Sequence, residues 1–203
     1  MFKSTSKHLK YWQERQLDWK KFYLATWNHP HRQFIIQVLK TFIWQSLWEV
    51  GCGPGPNLVK ICQTFPEKQL GGNDVNADAI KLASETFKGG VFEVSPGNDI
   101  IMSDGATDVV LSDMCLLYVD PFKIDSYLKE MKRICRRRLI LVELHSDSWW
   151  ERFKLRWGGY HAYNYFRRLE KIGFYDIMIW KIPKESWNGA PQDKFAYLIS
   201  AKP

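Results

Sequence analysis

Short apolar runs alternate with segments of helical spacing along most of the chain. The runs predict buried strands at residues 46–50, 68–74, 91–94, 108–113 and 139–145, followed by a closing hairpin built from 177–179 and 195–199. Helical spacing predicts helices that begin near residues 58 and 77, and a further helix that holds residues 127–134. Strands that alternate with helices are typical of an α/β domain with a mostly parallel sheet.

A glycine-rich turn joins the first strand to the first of these helices. It reads Glu-Val-Gly-Cys-Gly-Pro-Gly-Pro-Asn over residues 49–57, with glycines at positions 51, 53 and 55. Because glycine has no Cβ atom, the backbone can adopt positive φ and a ligand can lie against the main chain. The free N–H groups of the following helix point into the same space. The turn therefore predicts a binding loop for a nucleotide-like ligand.

The spacing excludes two kinds of nucleotide loop. A phosphate-binding P-loop needs a lysine and a hydroxyl residue directly after its last glycine, and neither follows Gly55. A dinucleotide fingerprint needs Gly-x-Gly-x-x-Gly, but Pro56 or Leu58 occupies the third glycine position. What remains is Glu49, two residues before the first glycine. Its carboxylate would repel a pyrophosphate but suits a ligand that carries an ammonium group and ribose hydroxyls.

An acidic residue, one further residue and then Gly-x-Gly-x-Gly resembles the first motif of the class I S-adenosylmethionine-dependent methyltransferases. The resemblance extends from about residue 31 to the C-terminus, and this motif is its specific part. It implies a Rossmann-like α/β fold whose seven-stranded sheet is mostly parallel, with an antiparallel last strand and helices on both faces. It also implies S-adenosylmethionine as the cofactor and methyl transfer as the reaction.

The resemblance assigns candidate cofactor ligands to the ends of the predicted strands. Asp74 lies 19 positions after Gly55, where a carboxylate that ends the second strand can bind both ribose hydroxyls. Ser112 and Asp113 end the fourth strand, beside the expected methionine part of the ligand. The predicted cofactor-binding residues are Glu49, Gly51, Cys52, Gly53, Gly55, Asn57, Asp74, Val75, Asn98, Asp99, Ser112 and Asp113.

One segment departs from the family pattern. The family often has an acidic residue just after its third strand, near the adenine amine, whereas residues 95–97 here are Ser-Pro-Gly. Asn98 or Asp99, slightly later in the chain, is the expected polar contact to the adenine, although the polarity of a surface loop explains both residues equally well.

A general base is needed only when the methyl acceptor loses a proton, as a hydroxyl or an acidic carbon or nitrogen does. His145, at the carboxyl end of the fifth strand, is the predicted catalytic residue, because imidazole titrates near neutrality. His161 and Tyr118 are alternatives. His29 and His31 are interpreted as residues that cap or staple the first helix.

Two aromatic segments are candidate coverings for an acceptor pocket. Residues 3–27 predict an amphipathic helix laid over the domain, so we expect a helical extension or lid at 1–30 and the cofactor-binding domain at 31–203. Its mixture of tryptophan and lysine also suits a helix that lies on a membrane surface. Residues 145–163 hold several aromatic rings and a pair of glycines, which favours a second lid.

Charge and cysteine usage limit the partners. The chain has 29 basic and 22 acidic residues, a net charge of +7, and its basic residues gather at 3–21, 132–138 and 152–168. The arginines at 136–138 are interpreted as a solvated turn. The four cysteines lack metal-ligand spacing, so we expect reduced thiols and no metal. Neither a signal peptide nor a transmembrane run is evident in the sequence, which predicts a cytoplasmic protein.

The favoured function is methyl transfer from S-adenosylmethionine to a small or medium-sized acceptor at oxygen, nitrogen or carbon. Two alternatives stay open at this point. The positive charge also suits methylation of RNA or another polyanion, although no RNA-binding motif supports it. An intact cofactor loop is equally compatible with a non-catalytic subunit that binds the cofactor and activates a partner.

Overall fold

The computed structural model describes residues 7–187 and 191–203, and within them the chain forms one central sheet of seven strands. The strand order is β3-β2-β1-β4-β5-β7-β6. Neighbouring strands from β1 to β5 pair in parallel, whereas β7 is antiparallel to both β5 and β6. The predicted fold class is confirmed. The strands are β1 Ser46–Val50, β2 Gln69–Asp74, β3 Val91–Val94, β4 Thr107–Asp113, β5 Cys135–Leu144, β6 Tyr175–Lys181 and β7 Ala196–Lys202.

Helices cover both faces of the sheet, because alternate side chains of its buried strands point to opposite sides. In β5, Leu139 and Leu141 pack into an apolar core with α6, while Ile140 and Val142 pack into a second core with α3, α4 and α5. The helices are α1 Lys7–Glu14, α2 Trp19–Thr26, α3 Arg32–Leu39, α4 Pro56–Thr64, α5 Ala77–Thr86, α6 Ile124–Ile134, α7 Trp149–Trp157, α8 Tyr165–Lys171 and α9 Gln192–Phe195, with 3-10 turns at Leu116–Tyr118 and Lys184–Ser186.

The N-terminal extension forms two helices where the sequence predicts one. The chain leaves α1 after Glu14 and restarts as α2 at Trp19, because the side chain of Asp18 accepts a hydrogen bond from the Lys21 N–H and caps the new helix. The part of the predicted helix before residue 7 lies outside the described residues.

The arginine cluster also differs from its prediction. Arg136, Arg137 and Arg138 lie inside β5, which follows α6 directly, and not in a turn, although the side chains of Arg136 and Arg137 are exposed as predicted. The buried carboxylate of Asp108 stabilises this arrangement, since its Oδ1 atom lies 2.7 Å from the Arg136 Nη2 and 3.0 Å from the Arg137 Nε. Of the helices in residues 7–187 and 191–203, none is long and apolar enough to cross a bilayer.

Candidate functional site

The glycine loop between β1 and α4 adopts the backbone conformation that its sequence predicts. Gly51, Gly53 and Gly55 have φ values of 75°, 51° and 82°, and Gly55 precedes the first residue of α4. A Cβ atom on Gly51 would lie 2.2 Å from the Sγ of Cys115, whereas one on Gly53 would meet no atom of the described chain within 4 Å. Glycine is therefore required at position 51 by packing, and position 53 borders open space.

That open space belongs to a cavity of about 340 Å³ at the carboxyl ends of β1, β2 and β4. Glu49, Asp74 and Asp113 reach it from the ends of these three strands, as parallel neighbours allow. The structure brings eight of the twelve predicted cofactor residues to its wall: Glu49, Gly51, Cys52, Gly53, Asn57, Asp74, Val75 and Asp113.

The other four predicted cofactor residues do not line the cavity. Gly55 serves as the cap of α4, and Ser112 is fully buried, where its hydroxyl donates to Glu143 at 3.0 Å. Asn98 and Asp99 are exposed, because the chain turns outward after Gly97. At this point of the wall the structure has Ser95 and Gly97 instead.

Glu49 and Asp113 share one amide donor but differ in protonation. The Asn57 Nδ2 donates to Glu49 Oε1 at 2.6 Å and to Asp113 Oδ2 at 2.9 Å. Burial raises the pKa of Glu49 to about 8, despite the bond from Asn57. Burial also acts to raise the pKa of Asp113, but the adjacent His31 and Arg32 outweigh it and lower the pKa to about 2. The site therefore holds one neutral and one ionised carboxyl group at neutral pH.

Each of these two carboxyl groups has one oxygen without a hydrogen-bond partner in the described residues. Glu49 Oε2 and Asp113 Oδ1 are buried and make no hydrogen bond within the described part of the chain. A buried polar atom without a partner is costly, so a ligand with a hydrogen-bonding group at each of these two oxygens is favoured.

Asp74 shapes the glycine loop from the end of β2. Its Oδ2 accepts from the Gly53 N–H at 2.9 Å, and its Oδ1 accepts from the Asn76 N–H at the same distance. Burial raises the pKa of Asp74 against the effect of these backbone donors. Each carboxylate oxygen retains a further lone pair for a ligand hydroxyl.

Two histidines that sequence reasoning set aside line the cavity. The Nε2 of His31 lies 2.7 Å from Asp113 Oδ2, and its Nδ1 lies 2.5 Å from the Nδ1 of His29. The ring of Trp187 stacks on His31 with 4.5 Å between centroids, which fixes the plane of the imidazole. Burial, followed by the effects of His31 and Arg32, lowers the pKa of His29 to about 4. The two rings therefore do not both carry an extra proton at neutral pH.

Arg32 is a third residue that the sequence reasoning missed. It begins α3, is buried, and lines the cavity, where its Nη1 donates to the carbonyl of Thr26 at 2.8 Å. Its Nε makes no hydrogen bond within the described residues. A buried guanidinium with a spare donor attracts an anionic group.

The helical extension supplies the apolar side of the cavity. Trp12 of α1 and both Trp19 and Phe22 of α2 line it, and the ring of Trp12 lies 4.9 Å from that of Tyr118. The extension is held by Asn76, whose Nδ2 donates at 2.9 Å to the carbonyls of Trp12 and Arg15. Asn76 also caps α5, because its side chain accepts a hydrogen bond from the Ala79 N–H at 3.0 Å.

His145, the predicted base, lies outside this cavity. It lines a separate surface hollow, where its Nδ1 accepts from the Tyr165 N–H at 3.2 Å and its Nε2 lies 3.6 Å from Asp147. The physical reason is that the backbone beyond β5 continues as a bridge to Tyr163, which turns the imidazole toward α8. The predicted second lid does not line the cavity either, since none of the residues 145–163 is in its wall and Trp149 and Trp157 are exposed.

A buried acid beneath the site was not predicted. Glu143 of β5 accepts hydrogen bonds from the N–H groups of Cys115 and Leu116, both at 2.9 Å, and of Leu117 at 3.2 Å. Burial raises its pKa to about 8. Glu143 thus fixes the turn that follows β4, and with it the Cys115 side chain that packs against Gly51. Among residues 7–187 and 191–203, no group of three or more His, Cys, Asp or Glu is placed to hold a metal ion.

Comparisons with known proteins agree with this architecture. Residues 48–138 match the model of a family described as a methyltransferase domain. No curated protein sequence matches the chain significantly.

Solved structures extend the comparison beyond the matched region. A geranyl diphosphate C-methyltransferase from Streptomyces coelicolor A3(2), solved with Mg²⁺, a substrate analogue and S-adenosylhomocysteine, is 16% identical with a TM-score of 0.68, over 85% of this chain and 74% of that one. A phosphoethanolamine N-methyltransferase 2 from Haemonchus contortus is 13% identical with a TM-score of 0.72, over 97% and 60%. A chain in the complex of the Haloferax volcanii Trm112 methyltransferase activator with a methyltransferase is 13% identical with a TM-score of 0.70, over 91% and 93%.

Proposed function

We propose that the chain methylates a small or medium-sized acceptor at oxygen, nitrogen or carbon, because residues 48–138 match a methyltransferase-domain model and the fold is that of S-adenosylmethionine-dependent methyltransferases. One observation carries the proposal. A single cavity joins the glycine loop and three strand-end carboxyl groups on one side to the aromatic residues of α1 and α2 on the other. A cofactor and an apolar acceptor would therefore meet in one enclosed space.

The polar side of the cavity fits S-adenosylmethionine. The domain match and the fold both support this molecule as the cofactor. Its ammonium group can donate hydrogen bonds to Glu49 Oε2 and Asp113 Oδ1, which have no partner in the described residues. Its carboxylate can accept one from the Nε of Arg32, which also has no partner there. Its ribose hydroxyls suit the free lone pairs of Asp74. When bound, the cofactor supplies a sulfonium methyl that is already activated, so the protein mainly has to align the acceptor with the C–S bond.

For acceptors that lose a proton, His29 takes the place of His145 as the proposed base. In the proposed active tautomers, the His31 Nε2–H donates to Asp113 and the His29 Nδ1–H donates to the His31 Nδ1, which the 2.7 Å and 2.5 Å contacts allow and which leaves a lone pair on the His29 Nε2. The 3.5 Å contact from the His31 backbone N–H to the His29 Nδ1 belongs to the other tautomer of His29. When that nitrogen takes the acceptor's proton, the Nδ1 proton can pass to His31. The resulting imidazolium is then stabilised by the Asp113 carboxylate. Asp113 and His31 act as positioning residues, and His29 acts as the base.

The apolar side of the cavity supports the proposal that the acceptor has a hydrophobic part. It also supports the proposal that the N-terminal segment, residues 1–30, acts as a lid. Trp12, Trp19 and Phe22 face this space from two short helices, and their removal would open the cavity to water. The neighbouring enzymes named for geranyl diphosphate and phosphoethanolamine both act on small molecules, in line with this assignment. The four free cysteines, two of which are buried, support a reducing setting such as the cytoplasm.

Polyanion methylation receives less support from the structure. Arg136 and Arg137 lie at the amino end of β5, whereas the cavity is at the carboxyl ends of the strands, and both side chains pair with Asp108. Lys132 donates to the carbonyls of Ile172 and Gly173. A role as a cofactor-binding subunit stays the second candidate, because the cavity accounts for binding of a cofactor and not for turnover.

Calorimetric titration with S-adenosylmethionine and S-adenosylhomocysteine tests the proposal. We expect both ligands to bind the wild type and binding to be lost in Asp74→Ala, with Asp99→Ala as a matched control outside the cavity. A thermal melt of each variant separates loss of binding from loss of folding. Absence of binding to the folded wild type would overturn the proposal. Turnover in the isolated chain, measured as S-adenosylhomocysteine release in an acceptor screen, would exclude the role as a silent subunit.

A further inference from the structure

None of the side chains of α7 is fully buried, and the helix contacts the core through the half-buried Leu155. A surface helix normally covers the core with an apolar stripe, yet Trp149, Trp150, Phe153 and Trp157 of this helix are exposed by 66%, 49%, 44% and 82% of their surfaces. Four large rings on one nine-residue helix form a patch, and contiguous apolar patches mark an interaction site.

The four rings form a continuous aromatic face, here called the α7 face. Trp149 and Trp150 meet edge to face at 4.9 Å, Trp150 and Phe153 stack at 5.7 Å with 9° between their planes, and Phe153 and Trp157 lie 5.9 Å apart. Because the rings pack on one another, their faces are not splayed apart to receive stacked bases. A continuous apolar surface is the arrangement that a hydrocarbon boundary favours.

Basic side chains accompany the α7 face. The helix carries three basic residues and one acidic residue, and both Lys154 and Arg156 are exposed. The Nζ of Lys154 lies 5.8 Å from the ring of Trp150, which places the cation beside the rings. Arg152 is used within the protein, since its Nη1 donates to the carbonyls of Ser146 and Asp147. The net charge of the chain, +7, has the same sign.

We propose that α7 is a membrane-surface helix, which docks the protein onto bilayers that contain anionic lipids. Indole rings are favoured at the boundary between head groups and acyl chains, where one edge is apolar and the other is hydrated. Lys154 and Arg156 supply charge complementary to anionic head groups. A short helix of this type lies in the plane of the interface and does not span it. The inference is independent of the catalytic assignment.

Co-sedimentation with lipid vesicles tests this surface. We expect the full chain to pellet with vesicles made of phosphatidylcholine and phosphatidylserine in a molar ratio of about two to one. It should pellet only weakly with vesicles of pure phosphatidylcholine. The triple variant Trp149→Ala, Trp150→Ala, Trp157→Ala should lose at least about tenfold in partitioning. Lys154→Gln and Arg156→Gln should each lose roughly fivefold on the anionic vesicles.

The matched control is Trp180→Ala, which removes a tryptophan that is 45% exposed on the edge strand β6. It should partition like the wild type. Because the three substituted side chains on α7 are exposed, the triple variant should keep the wild-type melting temperature. Equal pelleting of the triple variant and the wild type would overturn the proposal. Binding to poly(U) without binding to vesicles would also overturn it and assign the surface to nucleic acid.

Discussion

The imidazole of His31 and the carboxylate of Asp113 meet at 2.7 Å between Nε2 and Oδ2, although 82 positions separate them in the chain. One residue precedes α3 and the other ends β4. The contact joins the N-terminal segment to the strand ends of the cavity, and it orients both nitrogens of His31. The second nitrogen faces His29, so three residues form one path for a proton.

The proton path from His29 through His31 to Asp113 predicts the effect of removing the His29 imidazole. With an acceptor that loses a proton, His29→Ala should lower kcat by about 10²–10⁴, the range of general base catalysis, with unchanged cofactor affinity. His145→Ala is the matched control and should keep wild-type turnover, because His145 lies outside the cavity. Steady-state kinetics with calorimetry separates the two quantities. Wild-type kcat in His29→Ala would remove this residue from the mechanism.

The pH profile provides a second readout of the same path. The base form requires a neutral His29, whose pKa burial lowers to about 4, so kcat should rise with pH through that value. The Asp113 carboxylate acts to raise the pKa of His29, so Asp113→Asn should lower it further and shift the acid limb toward lower pH. The measurement is made at saturating cofactor, because Asp113 also borders the cofactor side. A shift toward higher pH would contradict the assigned hydrogen bonds.

The raised pKa of Glu49 predicts that its carboxyl group releases a proton when the cofactor binds. Its pKa of about 8 makes it about nine-tenths protonated at pH 7 in the free protein. An ammonium group beside it favours the carboxylate and lowers that pKa, so binding should release a proton. Cofactor affinity should therefore increase with pH up to about 8 and then level off.

Titrations in two buffers of different ionisation enthalpy check this release. The observed binding enthalpy should differ between phosphate and Tris for the wild type. Glu49→Gln has no proton to lose at this position, so its enthalpy should change less between the buffers. The same buffer dependence in both proteins would place the proton elsewhere.

Much of the cofactor side of the cavity could be predicted from the sequence, because it depends on local spacing. Glu49 and Asp74 are set by the strand ends around one loop, and the loop itself is evident from its glycines. His31 and Arg32 could not be found this way, since their roles depend on contacts with distant strand ends. A pair of histidines two positions apart beside an arginine was the available signal.

Two segments lie differently from what the sequence predicts, for equally physical reasons. His145 was placed by strand order, but strand order does not specify the direction that the backbone takes after β5, where pairing with Tyr163 turns the ring away. Arg136, Arg137 and Arg138 were interpreted as a turn because they lie between a predicted helix and a predicted buried strand. In the structure Asp108 pairs with Arg136 and Arg137, and all three arginines belong to the strand. Contacts across the sheet decided both outcomes.

Substitutions of Gly51 and Gly53, the first two glycines of the loop, should cause different defects. Gly51→Ala would combine a positive φ with a Cβ only 2.2 Å from the Cys115 Sγ, so we expect a loss of about 3 kcal/mol in unfolding free energy. Gly53→Ala has room for its Cβ and should lose only about 1–2 kcal/mol from its backbone conformation. Its methyl group borders the cavity, so cofactor affinity should fall. Urea unfolding and calorimetry measure the two effects, and equal destabilisation would contradict the packing argument.

Glu143 predicts a structural loss that depends on its acceptor oxygens. Glu143→Ala leaves the hydroxyl of Ser112 and three backbone N–H groups without a partner in a buried site, so we expect about 3–5 kcal/mol of destabilisation. Glu143→Gln keeps a carbonyl oxygen for the bonds made to Oε1 and loses mainly the one from Leu117, at about 1–2 kcal/mol. Urea denaturation of both variants checks the difference. Equal losses would mean that side-chain volume, and not hydrogen bonding, holds the turn beneath the cavity.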